Sequence, residues 1–127
     1  MKKILISNIT GYKAVVISTY LKKHYNDIYI IGIDNKKVSG IFHTSTIDKF
    51  LKIQTQIHYP HFIEKLIAQE NIDLFIPTHS NEMDLLLENK SKFKKSLDYY
   101  GPYESYKILN NKISLNNICI ELNIKNV

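Results

Sequence analysis

The segment IYIIGID, from Ile28 to Asp34, is the stretch of this sequence that decides its fold. It is a continuous apolar run, rich in isoleucine, that extends to Ile33 and stops at an aspartate. An apolar run without alternation is typical of a parallel strand that is covered on both faces. The segment therefore predicts a buried strand in an α/β protein.

The residues before this strand predict another strand and a helix. Lys3–Ser7 is a short apolar run that predicts a buried strand, and Asn8–Gly11 predicts a turn. Between Tyr12 and His24 the apolar positions fall on one helical face, and the basic residues at the end suit the carboxyl terminus of a helix. Strand, helix and strand in this order predict a parallel pair of strands.

The residues after Asp34 continue the alternation of strands and helices. Asp48–Ile53 predicts a short strand near an edge of the sheet, and Pro60 suits the first turn of a helix with an apolar stripe. The other expected elements are a loop at Asn35–Thr46, a strand at Asp73–Pro77, a helix from about Asn81 to Lys95, a final strand at Leu97–Tyr100, and helices at Tyr103–Leu109 and Ser114–Leu122. This order predicts a Rossmann-like, doubly wound, mostly parallel sheet with helices on both faces.

Composition excludes several classes of protein. The 127 residues are 44% apolar, which is enough to form a core without disulfides, and the single cysteine indicates a reducing, cytoplasmic location. No apolar run is long enough for a membrane helix, so we expect no membrane partner. The net charge of +5 comes from scattered lysines without any arginine, which argues against a nucleic-acid partner.

Polar residues that directly follow the predicted strands are the candidate substrate-binding groups. Ligands of parallel sheets bind at the carboxyl ends of the strands, so these residues are expected to share one edge. Two interpretations of the segment after Pro77 stay open, because Ser80 or Asn81 could also cap the next helix. Asp34 likewise either contacts a ligand or forms a turn. The candidates are Ser7, Asn8, Asp34, Thr78 and Glu82.

The motifs of several common activities are missing from the sequence. The loop Ser7–Gly11 has one glycine where a dinucleotide-binding loop has three, so classical NAD binding is not expected. The five histidines lack the spacing of metal ligands, and no metal site is expected. Cys119 lies between two isoleucines and is expected to be buried and inert. No nucleophile stands beside a general base.

Four stretches together resemble the N-terminal, pre-ATP-grasp domain of ATP-grasp enzymes similar to the large subunit of carbamoyl phosphate synthase and to biotin carboxylase. They cover nearly the whole chain in the order of that family. The stretches are Lys3–Ser7, Ile30–Asp34, Asn71–Thr78 with Glu82, and Leu109–Lys112 followed by a helix ending at Glu121-Leu122.

The resemblance implies the N-terminal, substrate-side part of a larger, ADP-forming ligase. Residues 1–109 would be the pre-ATP-grasp Rossmann-like domain, and residues 110–127 would link it to an ATP-grasp domain of the same polypeptide. Such enzymes activate a carboxylate as an acyl phosphate, which an amine or similar nucleophile then attacks. The further domain would bind most of the ATP and Mg²⁺, so no cofactor and no catalysis are expected of this chain alone. The family's phosphate-contacting lysine would be Lys112, although Asn111 replaces the preceding acid.

Two other functions stay open at this stage. The chain could be a stand-alone Rossmann-type module that binds a nucleotide sugar or another small molecule, or it could be an interaction domain. As the fragment of a larger enzyme, it should expose an apolar patch on its last helices, and a homodimer would cover such a patch. The residues of this expected patch are Ile108, Ile113, Ile118 and Leu122.

Overall fold

The computed structural model describes residues 1–36, 46–54 and 58–125, which form two compact units, Met1–Leu97 and Asp98–Val127. The strands are β1 (Lys2–Ile6), β2 (Ile28–Asp34), β3 (Lys49–Lys52) and β4 (Leu74–Ile76). The helices are α1 (Tyr12–His24), α2 (Tyr59–Glu70), α3 (Ser80–Glu88), α4 (Tyr103–Asn110) and α5 (Lys112–Glu121), and a 3₁₀ helix spans Lys90–Tyr100. The boundary between these two compact units falls at Leu97.

All four strands belong to one parallel sheet with the order β3-β2-β1-β4. In the register of the sheet, Leu5 of β1 lies between Ile31 of β2 and Phe75 of β4. The predicted α/β class, the parallel sheet and the edge position of β3 are confirmed. The chain runs outward from β1 to β3 and then returns to the opposite side of β1. The strand order therefore reverses between β1 and β4, which is where ligands of Rossmann-like sheets bind.

Apolar side chains cover both faces of the sheet. On the face toward α1, Ile4, Ile6 and Ile30 form a cluster with Ala14 of that helix. The alternate strand residues, which point to the other face, are buried as well; Leu5 and Phe75 are fully buried. Since the chain crosses the sheet in opposite directions through α1 and α2, right-handed crossovers place these helices on opposite faces. The predicted stripe of α2 is buried and consists of Ile63, Leu66 and Ile67.

Gly32 is required by the close packing over β2. A Cβ atom at this position would lie 2.6 Å from Cγ1 of Ile9 and 3.2 Å from Cδ1 of Ile47. Both isoleucines are buried, so they have little room to move away. The glycine therefore lets the β1–α1 loop approach the sheet directly beside Asp34.

Two predictions after α3 are wrong. The helix expected to reach Lys95 ends at Glu88, because the backbone N–H of Asn89 bonds the carbonyl of Leu86 and begins the tighter 3₁₀ winding. The expected strand at 97–100 belongs to this 3₁₀ helix. Phe93 and Ser96 are both buried at a spacing of three, which is the repeat of a 3₁₀ helix, whereas residues three apart in a strand face opposite sides. The predicted loop at 35–46 lies largely outside the described residues.

The second unit consists of α4 and α5 packed against each other. Asn111 caps α5 by accepting hydrogen bonds from the backbone N–H groups of Ile113 and Ser114, so the helix begins two residues earlier than predicted. Helix α5 has no buried residue, and Ile113 and Leu122 are 74% and 63% exposed. An exposed apolar surface is therefore present on the last helices as expected, although Ile118 is half-buried. Cys119, expected to be buried, is also only half-buried. Within the described ranges, no helix has the length and apolarity needed to cross a bilayer.

Candidate functional site

A cleft of about 450 Å³ opens in the first unit beside the carboxyl ends of the strands. Its walls come from the segments that follow each of the four described strands, from the start of α2 and from the first turns of α3. Parallel strands end together at this edge, which brings polar residues from distant parts of the sequence to one place. The lining residues are Asn8, Asp34, Asn35, Lys36, Ile53, Tyr59, His79, Asn81, Glu82 and Leu85.

Asp34, at the end of β2, holds the loops around the cleft. Its Oδ2 accepts hydrogen bonds from the backbone N–H and the hydroxyl of Thr10, at 3.0 and 2.7 Å, and its Oδ1 accepts one from the backbone N–H of Lys36 at 3.0 Å. The residue is only 2% exposed. Burial raises the pKa of the carboxyl, but the donated hydrogen bonds outweigh this effect and bring the pKa below its usual value of 3.8. Asp34 is therefore ionised, and its hydrogen bonds join the loop after β1 to the segment after β2.

Glu82, in the first turn of α3, is the centre of a second network. Its Oε1 accepts hydrogen bonds from the Ser7 hydroxyl and from the backbone N–H groups of Thr78 and His79, the latter two at 3.0 and 3.2 Å. Its Oε2 accepts a hydrogen bond from the Tyr59 hydroxyl at 2.6 Å. One carboxylate thus joins the end of β1, the start of α2 and the start of α3.

His79 is the residue that caps α3. Its Nδ1 accepts a hydrogen bond from the backbone N–H of Asn81 at 3.1 Å, and Glu82 bonds back to the backbone N–H of His79, which completes a capping box. The expectation that Ser80 or Asn81 is the cap is wrong, because both residues lie inside the helix. The spacing of three residues between His79 and Glu82 is the signal in the sequence, although histidine is an unusual capping residue.

Tyr59 is a cleft residue that the sequence did not indicate. It precedes Pro60 in the first turn of α2, and the fold places its hydroxyl within hydrogen-bonding distance of Glu82. Burial, together with the charge of Glu82 and the hydrogen bond to it, raises the pKa of Tyr59 far above its usual value of 10. Tyr59 is therefore a neutral hydrogen-bond donor at physiological pH.

The residues predicted from the sequence take different places. Asn8, with a left-handed backbone at φ 48°, lines the cleft with Asp34 and Glu82. Ser7 and Thr78 support the cleft from behind: the Thr78 backbone N–H donates to the Ser7 hydroxyl at 3.1 Å, and the Thr78 hydroxyl donates to the Ser7 carbonyl at 2.8 Å. Lys112 is exposed at the start of α5 in the second unit.

Residues 1–36, 46–54 and 58–125 contain no group of three or more His, Cys, Asp or Glu side chains arranged to hold a metal ion. No family model and no curated protein matches this chain.

Proposed function

We propose that this chain is the substrate-side, N-terminal domain of a cytoplasmic, ADP-forming ATP-grasp ligase. The observation that carries the proposal is the polar cleft beside the switch in strand order between β1 and β4. A parallel sheet binds small molecules at this position. The sequence stretches that resemble the pre-ATP-grasp domain include the ends of β1, β2 and β4, which form the walls of the cleft.

The residues around the cleft would position a substrate and not react with it. Asp34 and Glu82 each hold several donors from separate loops, so the walls of the cleft are rigid before a ligand arrives. Preorganised walls of this kind fix the orientation of a bound molecule at a low entropic cost. ATP and Mg²⁺ would be held mainly by a further domain of the same polypeptide. That domain would supply phosphoryl transfer from ATP to the substrate carboxylate.

Two features of the second unit support the proposal that a further domain of the same polypeptide binds the nucleotide. Lys112 is exposed in the first turn of α5, where it is accessible to the phosphates of a nucleotide held by another domain. The exposed isoleucines and leucine of α5 provide an apolar surface of the kind that domains of one polypeptide bury against each other.

The test compares this 127-residue chain with the polypeptide of the complete reading frame. We expect MgATP-dependent formation of ADP, stimulated by a carboxylate substrate, from the longer polypeptide and none from the chain alone. ADP formation by the purified 127-residue chain, or a reading frame that ends at Val127, would refute the proposal.

Lys112→Ala in the longer polypeptide tests the assigned phosphate contact. A charge-assisted contact contributes about 1.5–3 kcal/mol, so KM for ATP should rise about tenfold or more. Lys125→Ala is the matched control, because Lys125 is also an exposed lysine of the second unit. Equal KM values for the two variants would remove Lys112 from the nucleotide site.

A stand-alone binding module is the second candidate. The cleft and both carboxylate networks lie within the single unit Met1–Leu97, which favours a site that is complete without another domain. Under this alternative the 127-residue chain binds its ligand with full affinity, and no ADP is formed by any longer polypeptide.

A further inference from the structure

The two carboxylates of the cleft have little capacity left for a ligand. Asp34 accepts hydrogen bonds on both oxygens, two on Oδ2 and one on Oδ1 from the described donors at 2.7–3.0 Å. Glu82 accepts three hydrogen bonds on Oε1 and one on Oε2. They are the acidic side chains among the described lining residues. A cation or metal ion would have to displace these donors before it could bind.

The groups that remain available in the cleft are mainly donors. The backbone N–H of Lys36 donates a hydrogen bond to Asp34, and this bond holds Lys36 at the cleft. The ammonium group of Lys36 has no ion-pair partner among the described residues. The ring of His79 accepts a hydrogen bond at Nδ1, so the proton of the neutral ring is on Nε2. Carboxamides from three asparagines complete the polar lining: Asn8, Asn35 and Asn81.

We infer that the cleft binds an oxyanion, a carboxylate or a phosphate, of a small polar molecule, with Lys36 as the ion-pairing residue and the Nε2–H of His79 as a neutral donor. This inference rests on the proposal that the cleft is the substrate site. The negative charges of Asp34 and Glu82 are already compensated by aligned N–H and O–H dipoles, whereas the charge of Lys36 has no carboxylate partner in the part of the chain that the structure describes. Ionic hydrogen bonds to a lysine are stronger than neutral ones, so the oxyanion gains more from this cleft than a cation does.

The experiment is an NMR titration of the ¹⁵N-labelled 127-residue chain. Sodium acetate and sodium phosphate are added in separate series at constant ionic strength, which is kept with sodium chloride, and magnesium chloride and ethylammonium chloride serve as cationic probes. The reporters are the backbone amides of Lys36 and His79, the ring nitrogens of His79 and the side-chain amides of Asn8 and Asn81. The acetate and phosphate series distinguish the two kinds of oxyanion.

We expect saturable shifts of these reporters with at least one of the two anions. Lys36→Met should weaken that binding at least tenfold, and Lys36→Arg should restore most of it. Lys23→Met is the matched control, since Lys23 is an exposed lysine of α1 that does not line the cleft, and it should bind as the wild type does.

Three results would overturn the inference: no saturable shift with either anion, unchanged binding by Lys36→Met, or shifts of the cleft reporters with the cations in place of the anions. Each of these results is independent of ADP formation by the longer polypeptide. A longer polypeptide that forms ADP while its cleft selects cations would refute this inference and leave the proposed function standing. Anion binding by the chain, without ADP formation by the longer polypeptide, would support this inference and refute the proposed function.

Discussion

Replacement of Glu82 by alanine should substantially destabilise the fold, because one carboxylate joins three elements. The variant leaves four donors without their acceptor: the hydroxyls of Ser7 and Tyr59 and the backbone N–H groups of Thr78 and His79. These donors do not contribute equally. The Thr78 N–H keeps the Ser7 oxygen as an acceptor at 3.1 Å, and His79 is exposed to water, which can replace the lost bond.

The hydroxyls of Ser7, which is buried, and of Tyr59, which is half-buried, therefore account for most of the cost. Both hydroxyls lose a hydrogen bond to a charged group, at 2.6 Å for Tyr59, which costs about 1–3 kcal/mol, and loss of the capping box adds about 1 kcal/mol. We expect the free energy of unfolding to fall by about 2–4 kcal/mol, which lowers Tm by roughly 10 °C in a domain of this size. Urea denaturation followed by circular dichroism measures this change.

Two further variants separate the network from the helix itself. Tyr59→Phe should reproduce about half of the loss, since it removes one of the four donors and leaves the capping box intact. Asp84→Ala removes an exposed acid from the same helix and should change the stability by less than about 0.5 kcal/mol. If Glu82→Ala unfolds with the same free energy as Asp84→Ala, the carboxylate does not hold these elements together.

Three other changes test separate parts of the structure. Gly32→Ala should lower the free energy of unfolding by about 1–3 kcal/mol, because its Cβ would lie 2.6 Å from the buried Ile9; equal stability in urea would contradict the tight packing. The folded-state pKa of Asp34 is depressed, so its contribution to stability is present above the usual value of 3.8 and is lost as pH falls through the lower folded pKa; a ¹³C-detected carboxyl titration with a midpoint at or above 3.8 would contradict this. Ile113→Ser and Ile120→Ser should each change stability by less than about 0.5 kcal/mol, because these side chains are 74% and 64% exposed, and a large drop in Tm would show that α5 buries this face in solution.

The order of the elements could be predicted from local sequence. The uninterrupted run up to Ile33 indicated a strand buried on both faces, and the spacing of apolar residues between Tyr12 and His24 matches helix α1 to the residue. Such patterns are local, because a strand or helix must place its apolar residues toward the core at its own period. The same reasoning failed at Leu97–Tyr100, because this stretch continues a 3₁₀ helix in which Phe93 and Ser96 are buried one turn apart.

The residues at the strand ends were also predictable, since parallel strands end at the same edge of a sheet. Sequence reasoning placed Asn8, Asp34 and Glu82 at this edge, and all three line the cleft. Their individual roles were not predictable. Whether a carboxylate is available to a ligand depends on which donors surround it, and a sequence does not show those donors.

The tertiary structure alone decided how the cleft is organised. The hydrogen bond from Ser7 to Glu82 joins residues 75 positions apart, and that from Tyr59 to Glu82 joins residues 23 positions apart. Contacts of this length are set by the register of β1 against β4 and by the path of α2, which depend on the packing of the whole sheet. The sequence by itself determined that polar groups gather at one edge, because strand direction follows from local pattern and connection. Only the fold determined that the acids are occupied by internal donors and that Lys36 and His79 face the cleft, because hydrogen-bond partners are chosen by three-dimensional proximity.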